Sequence, residues 1–431
     1  MRIVSFAILV CFFIACRMAM WTCSQFQHPP YPIHFRVVTN SDIENKREEK
    51  IIPTQRPSPS PSPIPMTPMP LVFKPSTPTH RIVSVMTPIP TTEPPSLSKP
   101  TPQSLTPHRY NGVLVFLPSE SGLGNNLYGL ASAFLIAAMT NRELTTSRNY
   151  AYNVAFTLKD YWNKTVTTLP NRIHIPSANA IVEYNRCFSE KSNLVQSLLR
   201  DPVTSIFKKW NVRLSTNCPL FAPIIQNPKN HALLVDLGFL SPSDLKPSLA
   251  NQNAFFFYSR FLRQYVTPTL PIQLEVRNRL ADHANRTLLC LHIRCGNPLA
   301  DFKDQASFLG LRDISKFQTC RKNLLKNGTT TILTSDSTRA KTMIRNYRPG
   351  DDVVWFDAPA VHTMTRHMQR AKLSGLQQVA ADLFTLASCD EFVGTYRSSF
   401  SVAASALIGK KPFLVQPTSG GCSIPKTIRF G

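Results

Sequence analysis

The sequence predicts an α/β protein whose C-terminal part holds a parallel sheet of Rossmann type, and three observations carry that expectation. After residue 286, short apolar runs alternate with helix-length segments, the pattern of parallel strands joined by crossover helices. Near the start of the body, an apolar run, a glycine turn and a helical repeat follow one another within residues 112–138. Several predicted strands end on polar residues, at the edge where open parallel sheets bind their ligands.

The elements follow in order along the 431 residues, enough for two or three domains. Behind Arg2, residues Ile3 to Cys16 are uninterrupted apolar or small side chains. That run is shorter than the roughly 20 residues of a bilayer span and nearer a secretory signal. Read through Arg17 to Cys23, the same segment (residues 1–23) reaches the length of a marginal signal-anchor. Residues 24–108 are polar and then proline-rich. Between Pro53 and Pro107 lie 17 of the 37 prolines, interleaved with Ser and Thr. Proline removes backbone donors and favours extended polyproline II, so this stretch reads as a semi-rigid stalk. Anchor, stalk and body together are the layout of a Golgi type II membrane enzyme with a luminal body, and a secreted form remains an alternative.

The body begins near Tyr110. Gly112 to Leu117 reads as a strand and Ser121-Gly122-Leu123-Gly124-Asn125-Asn126 as a glycine turn. Leu127, Leu130, Ala131, Phe134, Leu135 and Ala138 then repeat at helical spacing. Strand, turn and helix start place backbone N–H groups and a helix dipole at one point, where a phosphate or sugar oxygen can sit. A nicotinamide fingerprint is excluded, because its third glycine falls on Leu127. From Glu143 to about Leu270 no motif of chemical weight appears. Ala254 to Tyr258 with Phe261, Leu262 and Tyr265 starts a buried helix.

Beyond 286 the strands are Leu288–Ile293, Thr330–Thr334, Val353–Phe356, Phe392–Gly394 and Phe413–Val415. Helices are expected around Leu311–Leu325, up to Asn346, over Leu376–Ser388 and from Ser401. The first strand runs into His292-Ile293-Arg294-Cys295-Gly296-Asn297. Arg294 offers a permanently charged, planar fork of donors suited to phosphate, and Gly296 lets backbone approach closely. Asp336 ends the next strand, and Ser398 and Ser399 sit at the start of an apolar helix, able to cap it and to donate to a diphosphate.

Charge and cysteine usage bound the function. The formal charge is +23, which favours anionic ligands, but basic residues are scattered rather than blocked, so nucleic acid is not the expected partner. Ten cysteines occur. Seven lie in the body (Cys187, Cys218, Cys290, Cys295, Cys320, Cys389, Cys422), where an oxidising lumen favours pairing and the odd count leaves at least one free or paired between chains. No Cys-x-x-Cys and no Asp-x-Asp occurs in the body, so neither a zinc site nor a nucleotide-sugar metal clamp is expected. Asn163, Asn285 and Asn327 open glycosylation sequons.

Ser121 to Asn126 opening a helix, His292-Ile-Arg-Cys-Gly296, and Asp382 followed by Ser398-Ser-Phe-Ser401 together resemble the three peptide motifs of the fucosyltransferase superfamily. The segment Gly122–Glu143 is most similar to the xyloglucan and α1,2-fucosyltransferase types. The resemblance implies a GT-B-like architecture, two Rossmann-type domains facing a cleft: 109–285 on the acceptor side and 286–431 holding GDP-fucose. It implies that Arg294 grips the diphosphate and that His292 and Gly296 lie by the nucleotide. Asp382 would accept from guanine, with Ser398, Ser399 and Phe400 on phosphate. Gly122, Gly124 and Asn125 would face the sugar-phosphate from the other domain, and Asp336 would line the crevice. Cys295 and Asn297 stand where the family commonly has a second arginine and an aspartate, so no base is inherited there. Asp301 and Asp304 are the nearest carboxylates in sequence.

The expected reaction is inverting transfer of fucose from GDP-β-L-fucose to a glycan hydroxyl, with galactose α1,2 the acceptor implied. It uses no metal and no cofactor beyond the donor. Two alternatives stay open: a catalytically inactive, stalked carbohydrate-binding protein of the same fold, and a protein O-fucosyltransferase.

Overall fold

The computed structural model describes residues 109–119, 121–147, 151–169, 175–176, 179–183, 192–301, 307–347, 352–356, 373–417 and 422–424. The expected anchor and stalk, and Asp304, lie outside them. Among the described residues no helix is long and apolar enough to cross a membrane.

The first half opens with β1 (Val113–Leu117), α1 (Leu123–Met139), β2 (Glu143–Thr146), β3 (Phe156–Leu158) and β4 (Ala180–Glu183). It continues through α2 (Asn193–Arg200), α3 (Val203–Ile206), β5 (Val212–Thr216), α4 (Phe221–Gln226) and α5 (His231–Asp236). It ends with α6 (Ala250–Tyr265), β6 (Val266–Pro268) and α7 (Leu270–Leu280). Strands pair in the order β2-β1-β5-β4, all parallel. Leu114, Val115 and Phe116 of β1 are all buried, so the strand is covered on both faces and reads as one apolar run. Helix α1 is apolar around almost its whole circumference because it is packed on all sides, by β1 and also by α4 and α6. The antiparallel pair β3–β6 has no counterpart in the sequence reading, since three residues per strand carry no usable periodicity.

The second half follows the sequence pattern closely. Its elements are β7 (Thr287–Ile293), α8 (Leu311–Leu324), β8 (Thr329–Ser335), α9 (Thr338–Asn346) and β9 (Val353–Val354). Then come α10 (Leu373–Ala387), β10 (Glu391–Thr395), α11 (Ser399–Ile408), β11 (Phe413–Val415) and β12 (Cys422–Ser423). The order is β12-β11-β10-β7-β8-β9, parallel except for β12. Strand β7 therefore lies inside the sheet, between β10 and β8, with His292 opposite Thr334.

Side chains alternate across β7. Leu289, Leu291 and Ile293 meet Ile314 and Phe317 of α8 and Ala340 and Ile344 of α9. Leu288 and Cys290 face the other way, into an apolar cluster shared with α10 and α11. That cluster runs on without a break into Leu114, Phe134 and Phe261 of the first half. Helix α11 packs against α1 and α6, and α10 against α7.

Cys290 and Cys389 form a disulfide, tying β7 to the segment before β10. Cys218 and Cys320 are each engaged in a disulfide as well. Cys295 is a buried free thiol, matching the leftover cysteine expected from an odd count, and burial pushes it up to about 12, so it stays protonated.

Candidate functional site

The site is assembled where β7 and β10 end. Beyond β7 the backbone turns at Gly296, whose φ of +67° is a conformation that glycine adopts without strain. That turn is held by one buried carboxylate. Asp336 accepts from the N–H groups of Cys295 (2.8 Å) and Gly296 (2.9 Å), and its Oδ2 lies 3.1 Å from Arg294 Nη1. The Asp336 side chain is only 5% exposed, whereas that of Arg294 is 21% exposed. Asp336 therefore fixes the arginine at the end of β7, where its side chain stays partly exposed. The Phe308 ring lies against it, with its centroid 5.5 Å away.

A second set of bonds ties β7 to β10. The Arg294 N–H donates to Thr395 Oγ1 (2.8 Å), which donates to the His292 carbonyl (3.1 Å). The Thr395 N–H donates to Ser401 Oγ (3.0 Å), and that oxygen lies 2.6 Å from His292 Nδ1. Ser401 is fully buried, and its hydroxyl accepts from Thr395 while sharing a hydrogen bond with Nδ1. Burial and the neighbouring Arg294 push His292 down to about 3, so the ring is neutral at physiological pH. It lies against Phe400, with ring centroids 4.9 Å apart.

Two helix N-termini meet at this point. Ser398 caps α11, its Oγ accepting from the Ser401 N–H, as the sequence anticipated. The first turn of α1 comes so close that a methyl on Gly124 would sit 2.5 Å from Phe400 N and 2.7 Å from Ser399 Oγ. Only glycine permits that approach. Gly122 precedes the helix, Asn125 is half-buried in its first turn, and Asn126 ties the turn down through Ser119, Ser121, Gly122 and the Tyr152 hydroxyl. Two positive dipole ends beside a guanidinium make a concentrated anion site.

Other expected residues have different settings. Asp301 is exposed, and its Oδ2 accepts from both the N–H and the hydroxyl of Thr338, starting α9, while its own N–H donates to the Asp336 carbonyl. Asp382 lies on α10, where Arg279 of α7 pairs with its Oδ1 at 2.7 Å and Gln378 donates to the same oxygen at 3.2 Å. Burial raises the Asp382 carboxyl above its ordinary range, with Arg279 opposing the shift. Arg279 also reaches Glu275 (2.9 Å) and is 4% exposed. Sequence reasoning missed Arg279; it reached Thr395 only as part of the polar run 395–399 that ends a strand, and Ser401 only through its motif. Among the described residues no group of three or more His, Cys, Asp or Glu is arranged to hold a metal ion.

No protein-family model matches the chain, and no curated protein matches it. Solved structures do. An Arabidopsis thaliana FUT1 variant in complex with GDP superposes with a TM-score of 0.50 over 74% of each chain, at 16% identity. The α-1,6-fucosyltransferase NodZ, known from Bradyrhizobium and soaked with GDP-fucose, gives 0.43 over 72% of this chain and 98% of its own, at 14% identity. POFUT1 in complex with GDP-fucose gives 0.42 over 74% and 99%, at 11% identity. The architecture is thus GT-B-like, two α/β halves each built on a parallel sheet. More narrowly, it is the fold seen in the plant FUT1 structure.

Proposed function

We propose that the protein is a glycosyltransferase that moves L-fucose from GDP-β-L-fucose to a glycan hydroxyl with inversion and without a metal ion. The observation that carries this reading is Arg294, held by Asp336 at the end of β7 beside the joined N-termini of α1 and α11. Negative charge grows on the diphosphate as the fucose bond breaks. Fixed donors that need no reorganisation stabilise that charge best. Arg294, the Ser399 hydroxyl and the helix N–H groups are such donors, and the neutral His292 lies beside them without adding a charge. The sequence has no Asp-x-Asp clamp in the body, so these groups take the role that a divalent ion would otherwise have.

The acceptor is proposed to be a galactose 2-hydroxyl, on the resemblance of residues 122–143 alone. Asp301 and Asp304 stay the candidate bases. The body is proposed to lie in the Golgi lumen behind an N-terminal anchor; the disulfides support an oxidising compartment.

The test is a donor screen on full-length protein with galactose-terminated acceptors, with and without EDTA. Fucose transfer from GDP-fucose that survives EDTA is expected. Arg294→Ala should lower turnover on the order of a hundred- to thousandfold while the protein still folds and is secreted. Near-normal turnover in that variant would overturn the assignment.

A further inference from the structure

We propose that Asn163, Asn285 and Asn327 carry N-linked oligosaccharides, the last two rooted side by side on the edge of the second sheet opposite the candidate site. The proposal rests on the luminal placement of the body proposed above and not on the transfer reaction.

Each of the three opens an Asn-x-Thr triplet, and each is exposed at a turn. The Asn163 N–H donates to the Asp160 carbonyl (3.0 Å) at a φ of +64°, at the tip of a hairpin whose arms meet at Lys159 and Thr165. Asn285 lies in the turn before β7, where the Arg286 N–H donates to the His283 carbonyl (3.0 Å). Asn327 lies in the turn before β8, closed by the Thr329 N–H on the Lys326 carbonyl (3.1 Å). None of the three side-chain amides makes a hydrogen bond among the described residues. Asparagines that hold the fold together differ. Asn126, Asn227 and Asn230 are buried, donate to backbone carbonyls, and open no such triplet.

The strand register brings two of the sites together. Thr287 and Thr329, the third residues of their triplets, are partners at the start of β7 and β8. Neighbouring strands lie about 4.8 Å apart. Arg286, the middle residue of its triplet, pairs with Asp352 and donates to Thr330 Oγ1 (3.3 Å), which fastens the Asn285 turn to β8. From Thr287, β7 runs seven residues to Ile293, about 20 Å at about 3.3 Å per step, before the chain reaches Arg294. Both sugars therefore grow from the N-terminal edge, with the length of the strand between them and the anion site.

The modification is a group transfer by a membrane-bound oligosaccharyltransferase. The asparagine amide nitrogen attacks C1 of an oligosaccharide carried on a lipid diphosphate. The N–C1 bond forms, the C1–O bond breaks, the lipid diphosphate leaves and the nitrogen gives up one proton. The transferase recognises the threonine hydroxyl two residues on. The attached sugar is bulky and strongly hydrated, so it needs the open turn that each site provides.

The experiment expresses the full-length protein in mammalian cells, releases glycans with peptide-N-glycosidase F in heavy-oxygen water, and maps the peptides. Release converts each carrier asparagine to an isotope-labelled aspartate, expected at positions 163, 285 and 327. Thr165→Ala, Asn285→Gln and Asn327→Gln should each lose the mass of one glycan; the first spares the left-handed turn at Asn163. Thr287→Ser keeps the hydroxyl and should keep its glycan. Release from the native protein should leave GDP affinity unchanged. A weakened GDP affinity overturns the placement of the pair away from the site. Any of the three positions left unlabelled, in a protein whose Cys290–Cys389 bond has formed, overturns that site. If all three are unlabelled and that bond is absent as well, the luminal placement falls with them. Labelled sites in a protein that binds no GDP would support the glycans and overturn the nucleotide-sugar reading instead.

Discussion

Replacing Asp336 with Asn is the sharpest test of how the arginine is aimed. The carboxylate holds three donors at once: Cys295 N–H at 2.8 Å, Gly296 N–H at 2.9 Å and Arg294 Nη1 at 3.1 Å. Asparagine keeps one acceptor oxygen, which satisfies one backbone N–H. Its amide nitrogen then faces the remaining N–H and the guanidinium, donor against donor. Removing one member of a buried, hydrogen-bonded ion pair costs about 3–5 kcal/mol. Arg294 is partly exposed and regains some hydration, so about 3 kcal/mol is expected. For a domain of this size each kcal/mol lowers the melting temperature by about 2–4 °C, giving roughly 6–12 °C in all. Thermal and urea unfolding of wild type and Asp336→Asn measure the stability loss, and donor turnover measures the lost aim. A variant that melts and turns over like wild type would refute the idea that Asp336 organises the end of β7.

Three further outcomes are expected. Gly124→Ala places a methyl 2.5 Å from Phe400 N, so about 1–3 kcal/mol of stability should be lost and turnover should fall with it; calorimetry and a rate assay read both. Because the folded-state value of His292 is about 3, below its unfolded value near 6.5, the unfolded chain binds the extra proton between those limits. Stability should therefore fall on acidification through that window, by up to about 1.4 kcal/mol per pH unit, and His292→Asn should show a shallower slope in urea titrations. Opening the Cys290–Cys389 disulfide, which spans 99 residues, with the pair Cys290→Ser and Cys389→Ser should cost about 2–5 kcal/mol in chemical unfolding.

Much of the second half was legible because its strands are buried on both faces. Continuous apolar runs such as Leu288–Ile293, broken by helical spacing, give both the element type and its place in a parallel sheet. The serine cap of α11 was legible for a local reason, since a cap hydroxyl bonds an N–H three residues on. What escaped was set by tertiary approach. Arg279 meets Asp382 across 103 residues, and nothing in either neighbourhood announces the pairing. Thr395 and Ser401 matter through which strand end they bridge, which depends on β7 lying beside β10. Nearness in sequence also said nothing of what Asp301 touches: its carboxylate meets a helix start 37 positions away.

The unbroken apolar cluster joining the two halves has a consequence for how substrates arrive. A clamshell motion would peel α11 from α1 and α6 and wet side chains such as Phe134, Phe261 and Val402. Each 100 Å² of oily surface so exposed costs about 2.5 kcal/mol, soon more than a sugar nucleotide can return on closing. A donor bound as proposed would therefore meet two halves that already stand together, and a wide swing of one half against the other is not the expected route of entry.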